Sequence, residues 1–255
     1  MNTPIATSYQ LTYVAVSYAI SVLGAFVALT AASRIRQPDG SISVGNTMAA
    51  GLALGGIGVW SMHFIGILAL KLDAAASYSM TETLISLAAA VAATALALGF
   101  VARAPEQVGR LLGAGFLLGM GVVVMHYLGM WGMKIPGFIE WDAGVIALSA
   151  VIAVLAATAA LWLAFNTDGV GLRGLAALVM AVAVCAMHYT GMHAAGFICT
   201  SDPSIAPTGF GYLSATSLPF AVGLVAVATA GLIAIYHTWQ DSAHYDDFEN
   251  ELGMH

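Results

Sequence analysis

An all-α membrane bundle of seven helices is the fold class this sequence predicts, on three observations. Hydrophobic residues fill 60% of the 255 positions and charged residues only 8%, against about 45–50% and about 25% in soluble domains. Seven apolar runs are each long enough to cross a hydrocarbon core of about 30 Å, which takes about 20 residues of helix. One short pattern, Met-His-aromatic-x-Gly, returns three times, with its histidines 63 and then 62 residues apart. Such a return at nearly constant spacing marks an internal repeat.

The first run spans 9–32 and lacks the basic n-region and small-residue cleavage site of a signal peptide, so a permanent span is expected. The second, 47–70, carries Met62-His63-Phe64 with Gly66, and the third is 81–102. The fourth, 110–133, carries Met125-His126-Tyr127 with Gly129, and the fifth is 143–165. The sixth, 173–197, carries Met187-His188-Tyr189 with Gly191, and the seventh is 214–237. Backbone in lipid must satisfy its own hydrogen bonds, and none of these runs has the polar alternation of a barrel strand, so helices are expected. They make one membrane domain over 1–239, followed by a short acidic tail over 240–255. Any catalytic output module would then lie on another chain or beyond the C-terminus.

Loop charge gives the orientation. The first, third and fifth connections carry Arg34, Arg36, Arg103, Arg110 and Arg173, whereas the others carry only Lys71 and Lys134 beside several acids. The positive-inside rule therefore predicts an outside N-terminus and a cytoplasmic C-terminus. Trp131, Trp141, Tyr78, Trp239 and Tyr245 fall near predicted helix ends, as an aromatic belt would. The net charge of −6 comes partly from the tail, and no basic stripe suggests nucleic acid.

The even helices all run the same way, so the repeat is a parallel one about an axis along the membrane normal. A pseudo-threefold bundle follows, with even helices inside, odd ones around them and the seventh as an extra. Gly51, Gly55, Gly115 and Gly119 have the small-xxx-small spacing of close helix contacts. The two cysteines, Cys185 and Cys199, are read as free thiols. Fourteen residues of continuous helix would part them by about 21 Å.

Ionisable side chains inside a span are costly and usually face the bundle interior, where they pair or bind something. A single histidine would be read as a hydrogen-bonded core residue. Three at one depth on repeated helices point to a shared metal site formed by His63, His126 and His188. Neutral imidazole suits zinc, copper, iron and nickel, and thioether sulfur favours copper. Two sets of methionines compete as sulfur donors. Met62, Met125 and Met187 precede the histidines in all three copies, while Met130 and Met192 stack one turn beyond two of them. Which set binds stays open. Tyr127 and Tyr189 are read as neighbours of the site. Phe64 shows that their hydroxyl is not needed in every copy. His193 could extend the site outward or form a second one. No phosphate-cradling glycine loop, HExxH or CxxC is present.

Met-His-Tyr motifs on alternate helices of a seven-span chain resemble the MHYT domain family of bacterial membrane sensors. The likeness runs from about Tyr9 to His237, with Phe64 where the family has tyrosine. It implies a domain that binds copper through the motif residues near the outer face of the cytoplasmic membrane and senses oxygen, carbon monoxide or nitric oxide. Family members often carry cyclic-di-GMP or kinase domains after the last helix, which implies a cytoplasmic signalling partner.

The resulting expectation is a non-enzymatic, metal-binding sensory domain, copper first and zinc second. A three-ligand site can leave a position open for a diatomic gas, and a change of coordination can shift helix packing. Two rivals stand beside it. One is a copper-handling protein, whether buffer, insertion factor or importer. The other is a three-histidine zinc membrane hydrolase, weakened because no acid lies at the histidines' depth. Haem would leave the threefold repeat unexplained.

Overall fold

The computed structural model describes residues 3–251, with side chains described as far as Ser242. Its seven helices are each long and apolar enough to cross a membrane: α1 (Leu11–Ala32), α2 (Val44–Ala69), α3 (Met80–Val101), α4 (Val108–Gly132), α5 (Ala143–Asn166), α6 (Val170–His193) and α7, whose spanning part is Leu218–Ser242. Polar side chains set several starts. Ser43 caps α2 by accepting from the Asn46 amide, and Asp142 caps α5 by accepting from the amides of Gly144 and Val145. Pro219 sits in the first turn of α7, where a missing N–H costs little. That helix runs on through Glu251, so 240–251 continues it, while 252–255 of the expected tail and the Tyr245 side chain lie outside the described residues.

Packing is cyclic. Helices α1 to α6 each pack against the next, α6 closes back onto α1, and α7 lies on the outer side of α2. This corrects the expected sorting of even helices inside and odd helices outside. Only α2 is enclosed, with 89% of an apolar 18-residue stretch buried, whereas the like stretches of α4 and α6 reach 33% and 28%, no more than the 39% of α1 and α3. The reason is α7, which covers the face of α2 that the other motif helices leave to lipid.

Glycines let α2 fit between its neighbours. A Cβ on Gly24 of α1 would sit 2.9 Å from the Ala53 carbonyl and overlap the Gly58 backbone, and one on Gly55 would sit 2.7 Å from the Ala90 carbonyl of α3. Gly51 and Gly55 thus face α3, and Gly115 and Gly119 face α5 in the equivalent place, against Thr158 and Val154. The first pair lies 12 and 8 residues before its histidine, the second 11 and 7. Wide π-type turns over Leu52–Ser61 are a conformation that absorbs such an extra residue.

Three small sheets cover one end of the bundle, a feature the apolar pattern does not announce. They have strand orders β1-β7-β6, β2-β3 and β5-β4-β8, built from Thr3–Pro4, Thr7–Tyr9, Leu70–Leu72, Ser77–Ser79, Met133–Lys134, Gly137–Trp141, Ala195–Cys199 and Tyr212–Ser214 in chain order. The sixth span ends at His193, earlier than its apolar run, because Ala195–Cys199 pairs over five residues with Gly137–Trp141. Both cysteines are free thiols. The chain between them turns from helix to strand, so the separation expected of a continuous helix does not apply.

Candidate metal centre

The three histidines stand six, six and five residues before the sheet-side ends of α2, α4 and α6, about 8–9 Å along each helix. Equal depth on parallel helices brings the rings together at the axis. Nδ1 of His63 lies 3.1 Å from Nδ1 of His126 and 3.2 Å from Nδ1 of His188. Ring nitrogens of all three lie within 4.8 Å of one another. Each ring is 0–1% exposed.

That donor set fits a metal ion. Nitrogens bound at about 2.0–2.1 Å to a tetrahedral ion stand about 3.3–3.4 Å apart, close to the two shorter separations. Nδ1 of His63 carries either one hydrogen or one lone pair, so hydrogen bonding alone serves its two neighbours poorly. A cation accepts a lone pair from each of three neutral imidazoles at once. The opposite nitrogens, Nε2 of His63, His126 and His188, are buried without a hydrogen bond of ordinary geometry. Among the described residues no carboxylate or thiol joins the group.

The other predicted residues surround this centre in different ways. Met62, Met125, Met187, Met130 and Met192 are all buried. Met187 packs with Val123 and Ala153. Tyr127 stands edge-on to His126 at 4.8 Å, Tyr189 to His188 at 4.7 Å and Phe64 to His63 at 4.8 Å. His193 ends α6 exposed, 6.1 Å from the Tyr9 ring and outside the histidine group. Tyr9, just before α1, also meets Tyr189 edge-on at 5.8 Å. Burial, with Tyr189 beside it, pushes the Tyr9 phenol up to about 12.

A second threefold layer escapes sequence reading. Ser17, Ser86 and Ser149 are each fully buried and each stand six residues into an odd helix. Each donates to the carbonyl three residues back, of Val14, Thr83 and Ile146. Tyr189 meets Ser17 at 3.0 Å and Tyr127 meets Ser149 at 2.8 Å. In the copy with Phe64 the Trp60 indole N–H takes that place, donating to Ser86 at 3.1 Å. The signal was available, since Ser86 and Ser149 each follow a motif histidine by 23 residues. Ser17 breaks that spacing because α1, from the other end of the chain, completes the third pair. Tyr127→Phe should lower stability by about 1 kcal/mol through loss of this bond. Thermal unfolding of the variant beside the wild type checks this.

Fold and site together define a helical membrane domain, built from repeated motif-helix pairs around a buried three-histidine centre. The chain belongs to the MHYT family: residues 56–114 and 119–177 match the pattern described as a bacterial signalling protein N terminal repeat. Each match joins a motif helix to the next helix. The third motif falls outside both.

The chain is 36% identical over 229 residues to the bifunctional diguanylate cyclase/cyclic di-GMP phosphodiesterase MucR of Pseudomonas aeruginosa, covering 87% of this chain and 33% of that protein. It is 33% identical over 193 residues to an uncharacterized signaling protein of Caulobacter vibrioides, covering 75% and 24%. It is 27% identical over 200 residues to the signaling protein YkoW of Bacillus subtilis, covering 76% and 25%. The chain thus spans a third or less of these relatives. No solved structure matches it.

Proposed function

We propose that this domain senses a diatomic gas (oxygen, carbon monoxide or nitric oxide), or redox or metal status, through an ion held by His63, His126 and His188. The observation that carries the reading is the convergence of three inward Nδ1 atoms in a fully buried centre. Copper is the preferred ion, because methionines flank every histidine and thioethers favour it; zinc is the alternative. A bound copper ion supplies redox chemistry and an open position for a small ligand. The chain's own part is to hold three imidazoles at one level, exclude water, and keep Met62, Met125 and Met187 beside them as candidate sulfur donors. Met130 and Met192 are the rival set.

The end of the bundle opposite the sheets carries Arg34, Arg36 and Arg103 in its loops and Arg110 and Arg173 in the first turns of α4 and α6, which supports a cytoplasmic position for that end in a bacterial inner membrane. Signal would leave through α2 and α7. The two helices pack together, Tyr236 of α7 lies against Gly45 at the start of α2, and Arg34 bonds Asp241 at 2.9 Å. A cytoplasmic signalling domain or protein would receive it, as the names of the relatives suggest.

The test is the optical and electron-spin spectrum of copper-loaded protein as each gas is added. A ligand-dependent change is expected. A spectrum indifferent to all three gases and to reduction would remove the sensing role. Passage of copper across sealed vesicles would favour copper handling instead.

A further inference from the structure

The motif glycine lies three residues after the histidine, on the same helical face and one turn nearer the sheets. That face meets the ring of a different helix. A Cβ on Gly129 would fall well inside 3.0 Å of His63 Nε2, one on Gly191 would meet His126 Nε2, and one on Gly66 would meet His188 Nε2. The relation is cyclic: α2 hands its ring to α4, α4 to α6, and α6 back to α2. These same Nε2 atoms are buried against the glycine backbones without a hydrogen bond of ordinary geometry, while the Nδ1 atoms converge.

We propose that Gly66, Gly129 and Gly191 are positioning residues that seat the imidazole of the neighbouring motif helix and thereby select Nδ1 as the ligand atom. The seat must lack a side chain because the ring fills the space a Cβ would need. With Nε2 held against the neighbour's backbone, the ring can turn only Nδ1 to the axis. This also explains the fixed register of glycine and histidine in all three copies. Any metal role rests on the three-histidine centre proposed above; the seating itself does not.

The test uses the whole chain with ¹⁵N-labelled histidine, read by NMR without metal and then with Cu(I) alone. Metal-free Gly129→Ala should move the ring resonances of His63, on α2, more than those of His126 on its own helix. Gly191→Ala should act in the same way on His126, and Gly66→Ala on His188. Gly174→Ala, with nothing within 4 Å of its Cβ, should move none of them. Each seat variant should weaken Cu(I) binding about 10–100-fold, as loss of an outer support does. Effects confined to the same-helix histidine, or no larger than those of Gly174→Ala, would overturn the proposal. The wild type gives a second measurement that does not depend on a variant folding: metallation at Nε2 rather than Nδ1 would also overturn it. If cyclic shifts appear but no metal binds, the seating stands and the metal reading fails.

Discussion

Purified protein should hold close to one metal ion per chain, and His126→Ala should hold essentially none. The substitution removes one of the three proposed ligands from a site with no solvent access, so the loss should exceed the 10–100-fold typical of outer supports. Elemental analysis of both proteins, prepared under aerobic and under reducing conditions, reads the result. Ring burial makes the effect large, because water cannot easily replace the lost nitrogen. A wild type without stoichiometric metal under either condition would end the metal reading. His193→Ala is the informative contrast: its ring lies exposed outside the cluster, so metal content should be unchanged.

Gly24→Ala should destabilise the fold by about 1–3 kcal/mol, the usual cost of forcing a methyl into a packed interior. Its methyl would meet the backbone of Gly58 and stand 2.9 Å from the Ala53 carbonyl. Backbone cannot rotate away as a side chain can, so α1 and α2 must separate. Helix propensity acts in the opposite direction, favouring alanine over glycine by about 1 kcal/mol. Gly223→Ala in α7, with nothing within 4 Å of its Cβ, isolates that term and should stabilise slightly. Thermal unfolding in one detergent compares the two, and a shift of the same sign would refute the close crossing.

Much of this was legible in the sequence, and for a definite reason. A bilayer fixes span length and forbids unpaired backbone, so composition and run length suffice to place seven helices. The Met-His-aromatic-x-Gly repeat adds equal depth, since equal positions on parallel helices lie at equal heights. The meeting of His63, His126 and His188 in one group that could hold a metal ion followed from those two facts. The small sheets stayed hidden because their strands are two to five residues long and lack a pattern of their own. The serine layer was hidden because one of its members, Ser17, sits at the other end of the chain from its partner Tyr189.

By itself, then, the sequence determined the class, the spans and the level of the histidines, because membrane thickness and helical rise are local rules. Tertiary structure decided the rest. It showed that α7 encloses α2, that α1 completes the third pair, and that Trp60 stands in where Phe64 lacks a hydroxyl. It also decided which nitrogen faces the axis. These are relations between helices distant in the chain, set by which surfaces fit, and helical periodicity carries no information about them.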